Sequence, residues 1–519
     1  MRHFADLVLD NPLVAPAATA LVDRGGRTSY AALRQRLLAV AAWLQAQGTQ
    51  PGDRVAVLLP NGSAFVEIQL GCAAAGGVLV PLNTRQLPAE QQRILEDAGA
   101  SVLFVHTAYA GRAEVFQAAL PALRTVVVVG GEAGEGGESA EGVADAAGWP
   151  GYEAIAGCQA QPALPALADD APAVILYTSG TTSLPKGAVL SHANLLANLR
   201  QYQATVGLAP GGVNLQLSPL FHAASIFCYV HLMLGGCTVL LDKVEPLAIG
   251  RAIEAERVSF LFTVPTVLYQ LLDHLDRVPH DLRSLQVLQY GAAPITGPQL
   301  QRALDRFGPR LLHSYGMTEA TSHVSVLLGA EHAQAAGSVG RPLQGIDVCV
   351  VDDVGLDVAD GEVGELLVRG PNVFGGYWQR PDATRDALRG GWLHTGDLGR
   401  RDAQGRLYVI DRKKDMIISG GTNIYPSDIE DALMRHPAVA EAAAFGLPDA
   451  RWGEAVAAAV VLRPEARSDE AALLAHLRGQ LGGYKLPKRL CILAALPKNA
   501  TGKVLKRELK GLAEFQCAS

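Results

Sequence analysis

Between Tyr177 and Gly187 the chain reads YTSGTTSLPKG, a run of hydroxyl side chains with two glycines and one lysine. Backbone N–H groups and hydroxyls converging on one spot, beside the mobile charge of Lys186, suit a polyanion, and a nucleoside triphosphate is the obvious one. A plain Ser/Thr/Gly surface turn would share this composition. From Gly180 the residues run GTTSLPKG, so Pro185 stands where a Walker A loop needs its second glycine, and Gly187 where it needs Ser or Thr. The loop is therefore not that of a P-loop kinase or ATPase.

Such a loop needs elements to hold it. AVILYTSG (173–180) reads as a strand, and SHANLLANLRQY (191–202) as a helix with Ser191 at its N-cap, so the loop is expected between strand and helix. The first half of the chain repeats this rhythm. RVAVLLP (54–60), SVLFVH (101–106) and TVVVVG (125–130) read as strands. The stretches 29–48 and 63–76 read as helices, the first stopped by Gly48. Alternating strands and helices imply an α/β fold, with parallel-rich sheets flanked by helices. The acidic, Gly-rich stretch Gly130–Gly142 reads as a solvated loop.

The rhythm changes near residue 411. PSDIEDALMRHP begins a short helix, and Ser427 with Glu430 three residues on has the form of a capping box. Strands AAAFGL and AVAAAVVL and the helix DEAALLAHLRGQLGG follow. Residues 412–519 suffice for a small α+β domain of their own, after a larger domain at 1–411, and the charged DRKKD between them suits an exposed hinge.

Bulk properties exclude several classes. The net charge of −7 over 519 residues argues against a non-specific nucleic-acid binder. Cys72, Cys158, Cys228, Cys237, Cys349, Cys491 and Cys517 are scattered without a CxxC pair, which argues against a disulfide framework or zinc site and suits a reducing, cytoplasmic compartment. Asp6 and Asp10 interrupt any leader-like apolar run at the start. The apolar stretch Ser225–Leu241 is broken by His231 and Gly235-Gly236, and is too short to span a membrane.

Five segments now stand in order: YTSGTTSLPKG, HSYGMTE (313–319), GWLHTGD (391–397), DRKKDMIISGGTNIYPSDIE (411–430) and LPKNATGKVLKREL (496–509). Together, across nearly the whole chain, they resemble the acyl-adenylate-forming superfamily, which includes acyl-CoA synthetases, coumarate–CoA ligases, beetle luciferases and peptide-synthetase adenylation domains. The resemblance implies two half-reactions, with ATP, Mg²⁺ and coenzyme A required. A carboxylate first becomes acyl-AMP with loss of pyrophosphate, and a thiol then takes the acyl group. It also implies a small mobile C-terminal domain. One departure is Ser183, where the family's phosphate loop carries glycine; at a positive φ it would cost about 1 kcal/mol.

The resemblance implies roles residue by residue. Thr178, Ser179, Gly180, Thr181, Thr182 and Lys186 would hold the β- and γ-phosphates. Thr318 would meet the α-phosphate, and Glu319 would bind Mg²⁺, a cation that prefers oxygen ligands; by itself YGMTE could be a turn with a solvated glutamate. Tyr315 would stack on adenine beside Gly291, Ala292 and Ala293. Asp397, otherwise a common turn residue, and Arg412 would contact ribose. Lys503, which residues alone would place on a basic solvated helix with Lys498, Lys506, Arg507 and Lys510, would neutralise charge between carboxylate and α-phosphate. Its domain must then close for the first step and swing away for the second. Lys414 matches the hinge, and Gly420 and Gly421 the loop that lines the pantetheine tunnel.

His222, either guard of the carboxylate or a core histidine, is expected among Phe221, Ala224, Ser225, Phe227, Thr263, Pro265 and Met317. None of these is Arg or Lys, so a second substrate carboxylate would lack a partner and a neutral tail is favoured. The motif wording resembles fatty-acid and aryl-acid CoA ligases, and favours a fatty acid. Trp452, with Tyr484, Lys485, Lys488 and Arg489, could meet the adenine and phosphates of CoA, or form a basic surface strand. The expectation is an acid–CoA ligase. An acyl-AMP ligase loading a carrier protein, a luciferase-like oxygenase and a non-catalytic homologue are the alternatives, the last disfavoured by intact Lys186, Glu319 and Lys503.

Overall fold

The computed structural model describes residues 1–130, 148–178, 185–293, 295, 297–449, 451–498 and 504–516. Three expectations fall outside this range: most of the Gly-rich stretch Gly130–Gly142, the loop positions Ser179, Gly180, Thr181, Thr182 and Ser183, and Lys503.

Two parallel-rich sheets form the body of the larger region. In the first, strands Thr19–Asp23, Cys237–Leu240, Val213–Gln216, Phe260–Thr263, Val287–Gly291 and Leu311–Tyr315 lie side by side and parallel, with short antiparallel strands at both edges. In the second, Pro172–Thr178, Val78–Pro81, Arg54–Leu58, Val102–His106 and Thr125–Val129 run parallel. An antiparallel sheet of Asp347–Val351, Gly364–Arg369, Trp392–Arg401, Leu388–Arg389 and Leu407–Arg412 completes this part. The α/β expectation therefore holds.

Local sequence explains the helices between the sheets. Ser29 caps Tyr30–Ala46, its hydroxyl oxygen accepting from the Ala32 N–H, and Leu33, Leu37, Val40, Ala41 and Leu44 place one apolar stripe in the core. Helix Ser63–Ala74 is apolar on all sides and buried along its length. Its single carboxylate, Glu67, is 1 % exposed and would be costly unpaired. Arg36 Nε at 2.9 Å and the Tyr152 hydroxyl at 2.6 Å satisfy it. Ser225–Leu241 becomes a buried helix, Ile226–Met233, and a strand, and among the described residues no helix is long and apolar enough to cross a membrane.

The C-terminal part is a separate α+β layer. A long antiparallel hairpin, Val439–Asp449 with Gly453–Leu462, is flanked by Ile417–Ser419, Thr422–Ile424 and the parallel strand Arg489–Ile492. Its core contains Ile429, Leu433, Val456, Leu473 and Leu477. The capping box expected from Ser427 and Glu430 does not form. Pro426 opens the helix after Tyr425, and no side chain caps it. The Ser427 N–H instead donates to Asp411 Oδ2 at 3.0 Å, while Glu430 accepts from the Ala444 N–H and pairs with Lys506, each at 2.9 Å. Partners on strands Leu407–Arg412 and Val439–Asp449 and on helix Lys506–Gly511 take the place of the local cap.

Candidate active site

The hydroxyl-rich loop closes a hairpin, which corrects the strand–loop–helix expectation. Strand Pro172–Thr178 returns as Lys186–Ser191, with Thr178 opposite Lys186 and Pro172 opposite Ser191. The helix His192–Val206 starts only after that second strand. Ser191 does cap it, accepting from the Asn194 N–H at 3.1 Å. At about 3.3 Å per residue the helix N-terminus lies roughly 20 Å along the strand from the loop. Its dipole therefore lies too far from Lys186 to act beside it.

The neighbouring sheet supplies Tyr315, Thr318 and Glu319. Strand Leu311–Tyr315 ends at Gly316, where a Cβ would sit 1.6 Å from the Ser322 carbonyl oxygen. Only glycine permits this close return of the chain into the 3₁₀ turn Thr318–Ala320. The Glu319 carboxylate accepts from the Tyr377 hydroxyl at 2.8 Å, and the Lys186 ammonium lies 5.1 Å from the centre of that same ring. Gly291 ends the adjacent strand, opposite Ser314, and Ala292 and Ala293 follow it into solvent. Ala292 has φ +67°, a left-handed conformation that costs about 1 kcal/mol at a non-glycine residue.

The antiparallel sheet supplies the third part. Asp397, 3 % exposed, lies opposite Arg412 in the pairing of Trp392–Arg401 with Leu407–Arg412. Arg412 Nε is 2.7 Å from Oδ1, and the Tyr315 hydroxyl donates to Oδ2 at 2.5 Å. Burial, and then the Asp397 charge, push the Tyr315 hydroxyl well above its usual pKa, so it stays a donor. Tyr315, Asp397 and Arg412, each predicted separately, thus form one connected unit.

His222 follows a turn, half-buried, with its ring 4.6 Å from Phe221 edge to face. Burial and then the nearby Arg85 charge lower its pKa to about 4, so its imidazole is neutral above that pH. Arg85 is a cation that the sequence reading did not place near the pocket. Ala224, Ser225 and Met317 are partly exposed around the turn. Phe227, expected in the pocket wall, is 1 % exposed and stacks on Phe262 at 4.6 Å in an aromatic core with Tyr202, Phe260 and His323. Thr263 is also fully buried, and Pro265 opens the helix Pro265–Leu275. Behind the His222 turn, a cavity bounded by Gln69, Leu220, Ala223, Ser225, Tyr229 and Thr321 has a volume of about 20 Å³. That is room for about one water molecule.

Beyond Arg412 the chain makes a 3₁₀ turn, Lys413–Asp415, and enters the C-terminal sheet. Lys413 anchors the turn to Asp353 at 3.0 Å and Glu365 at 3.4 Å. Burial lowers the pKa of Lys414. Gly420 and Gly421 form a two-residue hairpin turn at φ +58° and +78°, which asks for glycine at both positions. The Gly420 N–H donates to the Trp452 carbonyl at 2.8 Å, and a Cβ on Gly420 would lie 2.9 Å from the Trp452 ring. Trp452 is 41 % exposed, with the Arg451 guanidinium 4.8 Å from its ring centre. The expected basic patch is less available: Lys485 pairs with Asp428 at 2.5 Å, and Arg489 bonds the Phe515 carbonyl.

Sequence reasoning also missed Tyr377 and a buried polar chain from the Tyr202 hydroxyl through Gln289 to Ser314 and His323. These contacts join residues 25 to 87 positions apart, so no local spacing announces them. Among the described residues no cluster of three or more His, Cys, Asp or Glu side chains forms a metal site.

Known proteins share this arrangement. A family model described as AMP-binding enzyme matches residues 10–378, and one described as AMP-binding enzyme C-terminal domain matches 428–503. A feruloyl-CoA synthase from Amycolatopsis sp is 42% identical over 499 residues, covering 96% of each chain. A long-chain-fatty-acid–CoA ligase from Escherichia coli O157:H7 is 36% identical, over 95% of this chain and 91% of the other. The o-succinylbenzoate CoA synthetase MenE of Bacillus subtilis, solved with the acyl-adenylate intermediate OSB-AMP, superposes with a TM-score of 0.85 at 29% identity, over 97% of this chain and 98% of that one. With both parts of the chain matched in order, the protein belongs to the AMP-binding enzymes, as an AMP-forming acyl-CoA synthetase of the adenylate-forming superfamily.

Proposed function

We propose that this acid–CoA ligase takes an aryl acid of the hydroxycinnamate kind in preference to a fatty acid. The observation that carries the reading is the 42% identity with feruloyl-CoA synthase along almost the entire chain. The motif wording had favoured a fatty acid.

In the first half-reaction a carboxylate oxygen attacks the α-phosphorus of ATP and pyrophosphate leaves. The hairpin loop of Thr178, Ser179, Gly180, Thr181 and Thr182, with Lys186, holds the β- and γ-phosphates. Thr318 contacts the α-phosphate. Tyr315, with Gly291, Ala292 and Ala293, flanks adenine, and Asp397 and Arg412 receive ribose. The buried unit of Asp397, Arg412 and Tyr315 supports this, because its carboxylate, guanidinium and phenol are held in place by one another. Glu319 fits Mg²⁺: it is a partly exposed carboxylate on a turn, without the nitrogen or sulfur donors of a zinc site, and such a site relies on one carboxylate plus substrate phosphates. When bound, Mg²⁺ neutralises phosphate charge. His222 borders the acid as a neutral imidazole, with Arg85 the nearby cation. Lys503 supplies positive charge between carboxylate and α-phosphate.

In the second half-reaction the CoA thiol attacks the activated carbonyl and AMP leaves. Gly420, Gly421 and Trp452 form the CoA-facing surface, and Lys414 lies in the hinge. We take the larger domain to end near residue 411, at the Lys413–Asp415 turn; the pairing of Arg412 with Asp397 supports a boundary just after that strand. Free CoA is the acceptor carried forward, since the related ligases give no support to a carrier protein. The test is pyrophosphate release across ferulate-like, benzoate-like, medium-chain and long-chain acids, with and without CoA. Ferulate-like acids should lead palmitate by about tenfold or more in kcat/KM, the discrimination a shaped pocket can supply. Faster turnover of long-chain acids would overturn the aryl reading, and loss of pyrophosphate release with every acid would overturn the chemistry.

A further inference from the structure

The two groups assigned to the triphosphate come from different sheets: Lys186 from the hairpin, and Glu319 from the turn after Leu311–Tyr315. Something must set the distance between them. The segment 372–378 touches both. On one side the Asn372 carbonyl accepts from the Thr321 hydroxyl at 2.6 Å, the Asn372 side-chain amide donates to the Ala320 carbonyl at 3.0 Å, and the Phe374 N–H donates to the Glu319 carbonyl at 2.9 Å. On the other side, Gly376 and Tyr377 pair as a third strand with Val189 and Ala188, and the Trp378 N–H donates to the Gly187 carbonyl at 2.7 Å. The Trp378 indole reaches the Asp97 carbonyl at 3.1 Å, and the Asp97 carboxylate holds the Tyr177 hydroxyl at 2.7 Å, one residue before Thr178.

Tyr377 sits at the centre of this clip. Its hydroxyl is committed to Glu319 Oε1, and its ring lies against the Lys186 ammonium. We propose that Tyr377 is a positioning residue that aims the Glu319 carboxylate at the divalent cation accompanying the triphosphate, and holds it in register with Lys186. This rests on the assignment of Glu319 to Mg²⁺. With Oε1 held by the phenol, Oε2 is presented to the cation, and an ion that demands near-ideal octahedral geometry rewards a carboxylate already oriented. The aromatic face below Lys186 lets the cation rest there by cation–π attraction until phosphate arrives.

The test uses the full chain and calorimetric binding of ATP, with EDTA and across a Mg²⁺ titration, for the wild type, Tyr377→Phe, Tyr377→His and Glu319→Gln. In Tyr377→Phe the Mg²⁺ concentration for half-maximal enhancement should rise about tenfold to a hundredfold, the order expected for one hydrogen bond to a charged group. Metal-free ATP affinity should stay within about twofold of the wild type, because the ring under Lys186 remains. Tyr377→His, whose ring N–H can donate to the same oxygen, should recover most of the Mg²⁺ response. Glu319→Gln should abolish it; if it does not, the assignment of Glu319 is wrong. If Glu319→Gln abolishes the response while Tyr377→Phe keeps the wild-type Mg²⁺ dependence, Tyr377 has no positioning role. An equal loss of affinity with and without Mg²⁺ in Tyr377→Phe, or failure of both Tyr377 variants to fold, likewise overturns the proposal in favour of a structural tyrosine.

Discussion

The residues proposed to meet the nucleotide and those proposed to meet the thiol are built differently. Of those proposed for the nucleotide, Tyr315, Asp397 and Arg412 form one contact group and Glu319, Tyr377 and Lys186 another, drawn from three sheets, with Asp397 nearly inaccessible to water. Of those proposed for the thiol, Gly420 and Gly421 form an exposed turn beside the open aromatic face of Trp452. The difference follows from what each must do. Stabilising charge that develops at a phosphorus requires donors fixed before reaction begins, because reorientation during the step would forfeit the gain. A surface that admits and releases a long flexible thiol gains nothing from such locking.

The largest expected break in this comparison is Lys503→Ala. Acyl-AMP formation should fall by about two orders of magnitude or more, while thioester formation from supplied acyl-AMP changes much less. Rapid-quench assays of the separate half-reactions measure this, and equal losses would remove the division of labour. Next comes Asp397→Ala, which leaves Arg412 and the Tyr315 hydroxyl without their carboxylate. ATP-dependent turnover should drop about a hundredfold, and the fold should lose about 1–3 kcal/mol in chemical denaturation; unchanged stability would show that the buried unit is not held as described. Gly420→Val forces a side chain into a positive φ and against the Trp452 ring. It should slow thioester formation about tenfold with pyrophosphate release in the absence of CoA unaffected. Trp452→Ala, with no strain, should raise the KM for CoA about fivefold. If either change slowed adenylation as much as Asp397→Ala does, the two sides would not be separable.

Acid should also distinguish the regions. His192, His222, His231 and His313 have pKa values lowered to about 4 by burial, and His323 to about 3, all in the larger part. Their unfolded values lie near 6.5, so below that pH the unfolded chain binds protons first. Stability is therefore complete above about pH 6.5, and is lost as pH falls towards 4. Scanning calorimetry from pH 7 to 4.5 should show the transition of the larger part moving down by several degrees. Any separate C-terminal transition should move less, since the lowered histidine there, His436, lies near the surface.

Much of the frame was legible because it depends on neighbours in sequence. Ser29 and Ser191 cap helices through residues three positions on, and buried strands such as Val102–His106 announce themselves as apolar runs. The paired glycines at 420 and 421 likewise mark a turn. The failures share one cause. Nothing near residue 186 says that Lys186–Ser191 is a strand, since its partner lies across a loop. Ser427 and Glu430 had a local cap available, yet bonded to Asp411 and Ala444. Tyr377 and Arg85 carry no motif; they matter only through what folding brings beside them.

By itself the sequence determined the α/β alternation, the order of the motifs and the chemical kinds of side chain at the nucleotide site, because periodicity, caps and turns are short-range properties of a chain. Tertiary structure alone decided that Asp397 would be buried between Arg412 and Tyr315, that Phe227 would belong to the core and not the pocket wall, and that Tyr377 would bridge Glu319 and Lys186. Those outcomes depend on which sheets pack together, and on which buried polar groups must then find partners at long range.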